Sequence, residues 1–159
     1  MRVVGGELSE ISRAECLSLL AGAEVGRVAF TAQALPMVHP VAFLLEGEEI
    51  VFRTAAGSTL AAATRHAVVG FQVDHIDPAT RTGWTVLGVG EAYEVVVPER
   101  LQQLATVMPG PWVAGRDGHV ISIPLQLLHG RRLEPLAGAD GPEPHPNSCC
   151  ACTRATARI

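Results

Sequence analysis

The chain has 159 residues, a net charge of -4 at pH 7, and 48% hydrophobic and 18% charged residues. This length suits one domain with one hydrophobic core. The acidic balance, with a pI near 5.8, excludes a general nucleic-acid binder, which needs a basic surface. No apolar run reaches the roughly 18 residues that a membrane-spanning helix requires, so we expect no membrane partner.

Arginine and cysteine usage limits which groups can bind an anion and which redox compartment suits the protein. All twelve basic residues are arginine, so an anion site must use Arg, His, hydroxyl groups or backbone N–H groups. Cys16 stands alone in the body of the chain, whereas Cys149, Cys150 and Cys152 crowd its end. This distribution predicts no disulfide framework, and the first residues lack the apolar segment of a signal peptide. We therefore expect a cytoplasmic protein in a reducing compartment.

A capping box marks the first helix. Ser12 suits the N-cap and Glu15 the third helical position, and an apolar stripe at helical spacing continues until Gly22. We expect residues 1–10 to form a loose lead-in to this helix. Alternating apolar and polar residues around Val28 then predict a first strand.

Two apolar runs predict a β-hairpin. Val38–Leu45 and Glu49–Thr54 are separated by a short turn that contains Gly47. Pro40 lies inside the first run and has no N–H to give to a neighbouring strand. The first strand of the hairpin is therefore expected to be an edge strand, or bulged, at this position.

The rest of the chain predicts two more helices and four more strands. An Ala-rich helix should cover about Thr59–His66, and Pro98 suits the first turn of a helix over about Pro98–Val107. Gly88 and Gly90 indicate a bulge or a close backbone approach within a strand. The predicted strands are Val68–Val73, Trp84–Val97, Val120–Ile123 and Leu127–Leu133.

Together these elements predict a mainly β protein with six or seven antiparallel strands and two or three short peripheral helices. Strands do not alternate regularly with helices, which argues against a parallel doubly wound sheet. Closure into a small barrel would remove exposed sheet edges. From about Leu136 the composition shifts to Gly, Pro, Ala and Ser, so we expect a domain over residues 1–135 and a disordered Pro/Gly/Cys tail over residues 136–159.

One segment has the composition of a phosphate site. A predicted strand carrying Arg53 ends in a Gly turn, and Ser58 and Thr59 begin the helix that follows. Free N–H groups and the dipole at a helix start favour an anion, hydroxyl groups add donors, and arginine adds a planar charged donor. The alternative interpretation is ordinary helix capping by Ser58, which the local sequence alone favours.

Two further segments could contact a ligand. Trp84 follows Gly83 at a strand start and could line a planar ligand, although a core or rim tryptophan is the more common case. His39 precedes Pro40, and the donor that Pro40 lacks leaves neighbouring backbone groups available. His39 itself could contact an anion, and the alternative is that it is a surface histidine on an edge strand.

The remaining histidines and cysteines predict no metal site. His66 and His75 lie nine residues apart, wider than the paired spacing typical of zinc ligands. The tail contains His145 and the three cysteines named above, whose thiols could bind a soft metal or oxidise. Unligated thiols in a disordered segment are the favoured interpretation.

Taken together, the segments resemble the pyridoxamine 5′-phosphate oxidase-like family, the FMN-binding split β-barrel flavoproteins. The resemblance runs from about Glu15 to Arg132, and it depends on the order and spacing of several short pieces. These pieces are Gly26–Phe30, Pro36–Phe43, Phe52–Thr54 with Gly57 and Ser58, Asp74, Gly83–Val86 with Gly90, and Gly130–Arg132.

The resemblance implies an antiparallel split β-barrel that forms a homodimer, with FMN in two clefts between the subunits. It places the backbone of Val41, Ala42 and Phe43 at the flavin ring, and His39 is a further cofactor-binding candidate that could compensate in part for missing cations at the phosphate. The phosphate end would be lined by Arg53, Thr54, Ser58 and Thr59. Trp84, Thr85 and Val86 would approach the cofactor from the same subunit or from across the interface, and Trp112 and Arg131 are rim candidates.

The chain departs from the family at the phosphate loop, where Thr59 and Leu60 stand in place of basic residues. A flavin-dependent oxidoreductase that passes electrons to a small organic acceptor is the first hypothesis. The alternatives are a non-catalytic protein that binds or stores a flavin, deazaflavin F420 or haem, the last with His39 or His129, and a dimer whose pocket has decayed. Oxidation of pyridoxamine phosphate is not expected, because it needs substrate-binding Arg and His residues in a C-terminal segment, whereas the part of this chain after Arg132 is a Pro/Gly/Cys tail.

Overall fold

The computed structural model of the protein describes residues 6–109 and 118–135. Trp112 and the tail from residue 136 onward lie outside these residues, so the predictions made for them stay predictions. No helix within the described ranges is long and apolar enough to cross a bilayer.

Nine strands and three helices form the described part of the chain. In chain order they are β1 (Gly6–Ile11), α1 (Arg13–Ala21), β2 (Val25–Ala32), β3 (Leu35–Glu46), β4 (Glu49–Ala55), α2 (Thr59–Ala63), β5 (Val68–Asp77), β6 (Thr82–Glu91), β7 (Tyr93–Glu94), α3 (Pro98–Val107), β8 (Gly118–Pro124) and β9 (Leu127–Pro135).

The strands form one curled antiparallel sheet in the order β1-β9-β6-β5-β2-β3-β4-β8-β7. The predicted mainly β, antiparallel split barrel with short helices is confirmed. The strand count is nine rather than six or seven, because short strands were missed at both ends of the sheet.

The two missed strands are held by partners far away in sequence. The expectation of a loose lead-in is wrong for β1, which pairs with β9 along its whole length, from Gly6 opposite Pro135 to Ile11 opposite Gly130. The predicted long strand up to Val97 is interrupted at Ala92. The Ala92 N–H and C=O bond to Ala67 and His66, which takes the chain out of β6 and into β7 beside β8.

Local signals placed the other elements well. Ser12 caps α1 by accepting the Glu15 N–H at 3.2 Å, as the capping box predicts. The β3–β4 hairpin turns at Gly47, whose φ of 61° suits glycine. Gln33 and Ala34 have φ of 51° and 63°, which gives the β2–β3 hairpin its two-residue type I′ turn without a glycine.

The main core lies inside the curl of the sheet. Val28, Phe52, Phe71 and Ile121 are fully buried there, and the Phe43 and Phe71 rings meet edge to face at 4.8 Å. Such a pair adds about 0.5–1.5 kcal/mol to the burial of its apolar area. Helix α1 adds its buried Cys16 and Leu20 to this core, and α3 packs on the outer side of β4 through a second, smaller cluster around Leu104.

Gly90 shows the close approach that the sequence predicts within β6. A Cβ added there would lie 1.8 Å from the Pro124 carbonyl oxygen, which belongs to the backbone and cannot turn aside. We expect Gly90→Ala to lower the free energy of unfolding by about 3 kcal/mol, as severe overpacking does. Denaturant unfolding measures this. Gly22→Ala, where the nearest atom is 3.7 Å away, is the control and should change little.

A polar network joins α3 to the sheet. One oxygen of Glu49 accepts hydrogen bonds from Ser122 at 2.5 Å, Tyr93 at 2.7 Å and Arg100 at 2.8 Å. Arg100 also bonds to Glu46 at 2.7 Å. Burial alone would raise the pKa of Glu49, but the hydrogen bonds from Ser122, Arg100 and Tyr93 outweigh it and hold the pKa below its ordinary value.

This network makes stability depend on pH. A lowered pKa means that the fold favours ionised Glu49, so the stabilisation is present above the ordinary glutamate pKa of about 4.3 and is lost as pH falls through the folded value. The loss of unfolding free energy in Glu49→Gln should therefore be largest at neutral pH and shrink below about pH 4. A loss that stays constant with pH would contradict this, and exposed Glu91→Gln is the control for denaturant unfolding across this range.

Candidate functional site

The sheet opens where β3 and β4 separate. β3 pairs with β2 from Leu35 to Ala42, but it pairs with β4 only from Phe43 to Glu46. Beyond Phe43 opposite Phe52, the two strands diverge. We call the opening between Leu35–Ala42 of β3 and Arg53–Ala55 of β4 the fork.

The β3 side of the fork presents backbone groups. The Phe43 N–H donates to the Glu24 carbonyl at 3.1 Å, so the polar groups of Phe43 face β2. Polar groups of successive residues in an antiparallel strand point to alternate sides, and the register with β2 is unbroken. Those of Ala42, Pro40 and Val38 therefore point into the fork, where no strand of the described ranges pairs with them.

The β4 side of the fork also presents backbone groups. The Val120 C=O accepts from the Val95 N–H at 2.8 Å, so Val120 directs its polar groups to β7 and not to Arg53 opposite it on β4. The N–H and C=O of Arg53 consequently point away from β8, toward β3. Backbone groups of Ala42 and Arg53 thus face each other at the base of the opening.

A tight turn closes the far side of the fork. The Ser58 N–H donates to the Ala55 carbonyl at 3.2 Å, and Gly57 between them has a φ of 71°. The Ser58 Oγ accepts the Ala61 N–H at 3.1 Å, so the capping interpretation of Ser58 is confirmed. Thr59 is exposed at the first position of α2, where backbone N–H groups have no acceptor within the helix.

Burial explains why one family position is apolar in this chain. Leu60 belongs to the main core, with 7% of its surface exposed, so a charged side chain there would lose its hydration. A cation for the fork must come from elsewhere. Arg53 is exposed on β4 and makes no ion pair with residues of the described ranges, whereas Arg65, Arg100 and three other arginines each hold a carboxylate.

Several predicted site residues point into the core. The side chains of Val41, Phe43 and Val86 are buried. The backbone groups of Val41 and Phe43 face β2, and Val86 lies between β5 and β9, so of the predicted backbone contacts to the ring those of Ala42 face the fork. Thr54 is also buried beside the turn. His39 is half-buried, and its ring meets the Phe30 ring edge to face at 5.0 Å.

One chain does not bring Trp84 and Thr85 to the fork. They lie on β6, which β5, β2 and β3 separate from β4 in the sheet. Half-buried Trp84 packs against the main core and near His75, at 6.4 Å between ring centroids. Thr85 faces the outer side of the sheet, opposite exposed Arg131 of β9.

The outer side of the sheet carries an apolar row. Cross-strand pairing aligns one residue from each of five strands, and Val38 and Leu127 at its ends are 59% and 56% exposed. We call this set the apolar row; its members are Val38, Ala29, Gly70, Val89 and Leu127. An exposed apolar stripe across a sheet is typical of a protein interface.

Sequence reasoning missed the fork, although one signal for it exists. Pro36 and Pro40 lie four residues apart on β3, so both positions that lack an N–H lie on the same edge of the strand. That spacing predicts an edge of β3 that pairs with no strand along this stretch, and in the structure this is the edge that faces away from β2. The backbone groups of β4 leave no comparable trace, because they depend on the separation of two strands.

Comparison with known proteins bears on the same part of the chain. The family model described as pyridoxamine 5′-phosphate oxidase matches residues 12–132. The protein Rv0080 of Mycobacterium tuberculosis is 34% identical over 132 residues, which cover 80% of this chain and 86% of the relative.

Solved structures share the sheet. The FAD binding protein from Mycobacterium smegmatis is 28% identical, with a TM-score of 0.72 over 79% of this chain and 98% of that chain. A FAD-binding protein from Mesorhizobium loti, at 18% identity, matches in fold with a TM-score of 0.66 over 82% of this chain and 99% of that chain.

The matched residues 12–132 contain both strands of the fork, the turn at Gly57 and β6. The family relationship therefore covers every described feature that the candidate site uses. It also agrees with the antiparallel sheet and its separated strands. The chain belongs to the pyridoxamine 5′-phosphate oxidase family and has a split-barrel fold.

Proposed function

We propose that this protein binds FMN in the fork, with the flavin ring along β3 and the phosphate at the turn before α2. The observation that carries the proposal is the set of backbone groups of Val38, Pro40 and Ala42 on the edge of β3 that faces the fork, where no described strand pairs with them. A flavin ring presents two carbonyl oxygens, a ring N–H and ring nitrogens along one edge. A strand edge with alternating donors and acceptors complements that edge, and the N–H that Pro40 lacks removes one competing donor.

The phosphate end of the proposed site has one free charge and several neutral donors. Exposed Arg53 supplies a planar cation without a carboxylate partner among the described residues. Thr59 supplies a hydroxyl group, and the first turn of α2 supplies backbone N–H groups. Ser58 is already the acceptor for Ala61, but its own hydroxyl proton can still be donated to a phosphate oxygen.

FMN and FAD share the ring and the first phosphate, so both fit these elements. The M. smegmatis relative is described as a FAD binding protein, which supports a flavin. Haem is less well supported by the two candidate histidines. His39 faces the core side of β3, opposite Val28, whereas His129 is exposed opposite Leu87 on the outer side of the sheet. One chain cannot bring both to the same iron.

We also propose that two copies pair through the apolar row and complete each site. Within the described ranges, Trp84 of the same chain lies on β6, which β2 and β5 separate from β3 in the sheet order. Thr85 and Arg131 share the outer side of the sheet with the apolar row. Pairing through that side would carry Thr85 and Arg131 of one copy toward the fork of the other, together with the part of β6 that holds Trp84.

The proposed activity is electron transfer from a reduced donor to a small organic acceptor. Bound flavin supplies the hydride and electron chemistry, and the protein positions it. Backbone groups of the fork hold the ring edge in a fixed register, and Arg53 holds the charged end. This division of work needs no protein side chain as general acid or base.

A cofactor titration tests the proposal. Purified protein is mixed in turn with FMN, FAD, riboflavin, F420 and haem, and binding is followed by absorbance and thermal shift, since a ligand of the folded state raises the unfolding midpoint. FMN should bind more tightly than riboflavin. No response to any flavin would refute the proposal, and a response to F420 or haem alone would favour those cofactors. Bound flavin without turnover of NAD(P)H and quinone or nitroaromatic acceptors would favour storage over catalysis.

Arg53 should hold the phosphate rather than the ring. Loss of a charge-assisted hydrogen bond costs about 1.5–3 kcal/mol, roughly ten- to a hundredfold in affinity. Arg53→Gln should lower the affinity for FMN by that factor and leave the affinity for riboflavin, which has no phosphate, unchanged. Fluorescence titration measures both. Arg81→Gln, at an exposed arginine in the β5–β6 turn that likewise lacks an ion pair in the described ranges, is the control; equal loss in both variants would contradict the assignment.

The apolar row should hold the dimer. Leu127→Glu places a charge at one end of the row, and desolvating it in an interface is unfavourable. We expect this variant to sediment as a monomer at concentrations where the unmodified protein is a dimer. Val107→Glu, at an equally exposed position on α3 (60% against 56%), should stay dimeric. A dimeric Leu127→Glu variant would place the interface elsewhere.

A further inference from the structure

A three-residue polar cluster lies at the base of the turn and α2. The Glu94 carboxylate of β7 bonds through one oxygen to His119 Nδ1 at 2.5 Å and through the other to Arg65 Nε at 3.2 Å. Arg65 Nη2 also lies 3.2 Å from His119 Nε2. Glu94 and His119 are about three-quarters buried, with side-chain exposures of 28% and 27%. We call this set the Glu94 cluster.

The Glu94 cluster joins both ends of the segment that consists of the tight turn at Gly57 and helix α2. Upstream of that segment, Thr54 pairs with His119 on β8. Downstream, Arg65 follows α2, and the neighbouring His66 N–H bonds to the Ala92 carbonyl at 3.0 Å. The chain leaves the sheet after β4, forms the turn and α2, and returns to the sheet within a few residues of the cluster.

This segment needs such an anchor. Helix α2 spans five residues, Thr59–Ala63, and a helix this short does not persist by itself. Its inner side is held by buried Leu60, Ala61 and Thr64. The Glu94 cluster adds polar contacts at Arg65, directly after the C-cap residue Thr64.

We propose that Glu94, Arg65 and His119 are positioning residues that hold the turn and α2 in the geometry that receives the cofactor phosphate. This inference rests on the proposed function. Glu94 acts through Arg65 and His119 and does not touch the phosphate, since its negative charge would repel one. Without Glu94, the turn samples other conformations, and binding must order it again at an entropic cost.

The opposite hypothesis makes a different prediction. If Arg65 itself bound the phosphate, Glu94 would compete for it, and removal of the Glu94 charge would strengthen FMN binding. If Glu94 positions the turn, removal weakens FMN binding. The sign of the change therefore distinguishes the two roles.

The test compares Glu94→Gln with Glu48→Gln in the full chain. Glu48 lies in the turn between β3 and β4, at the end of the hairpin away from the fork, and forms an ion pair with Arg13 at 2.7 Å. Glu48→Gln therefore breaks a glutamate–arginine pair that is not near the fork. We expect Glu94→Gln to lower the affinity for FMN by about three- to tenfold and the affinity for riboflavin by less than about twofold. Glu48→Gln should change neither. Arg65→Lys, which keeps a charge beside Glu94, should retain more FMN affinity than Arg65→Gln.

Amide hydrogen exchange without cofactor gives a second readout. In Glu94→Gln, residues 56–63 should exchange faster, while β2 and β5 keep the protection of the unmodified protein. Unchanged exchange, tighter FMN binding, or equal weakening of FMN and riboflavin would each overturn the positioning role. If the unmodified protein binds no flavin, the proposed function fails and this inference fails with it.

Discussion

The candidate site depends on one structural constraint: β3 and β4 stop pairing after Phe43 opposite Phe52. Up to that point the two strands share a hairpin, and beyond it their facing backbone groups lack each other as partners. An unpaired strand edge invites another strand, and proteins commonly blunt such edges with proline. Pro36 and Pro40 remove two donors from this one edge. A full strand therefore cannot add there in regular register, whereas a flat ligand that needs only a few of the remaining groups can.

The core explains why the strands separate at this position. The Phe43 ring packs against Phe71, and Phe71 in turn occupies the space beside Gly26, where a Cβ would lie 2.2 Å from the ring. This stack of Gly26, Phe71 and Phe43 fixes β2, β5 and the middle of β3 to each other. β4 instead follows β8, with which it pairs from Glu49 to Ala55. The fork therefore lies where β3, which is held by β2, parts from β4, which is held by β8.

Features set by neighbouring residues could be predicted from the sequence, and features set by distant partners could not. The Ser12 cap, the Gly47 turn and the start of α3 at Pro98 follow from local chemistry. Two short strands escaped notice, because their sheet partners lie elsewhere in the chain. Among the site residues, Ser58 was placed at the correct turn. The buried side chains of Val41 and Val86 and the Glu94 cluster became visible only when the register was known.

Division of the proposed site between two copies links cofactor binding to association. If Arg53 of one copy and Thr85 of the other contact the same flavin, the bound dimer gains contacts that neither monomer has. Mass action then requires that flavin tighten the dimer and that dilution weaken flavin binding. A site contained in one chain would show neither effect. The coupling would also give the exposed apolar row a role. Val38 lies at one end of the row and also lines the fork, so the proposed dimer surface is continuous with the proposed ring-binding edge.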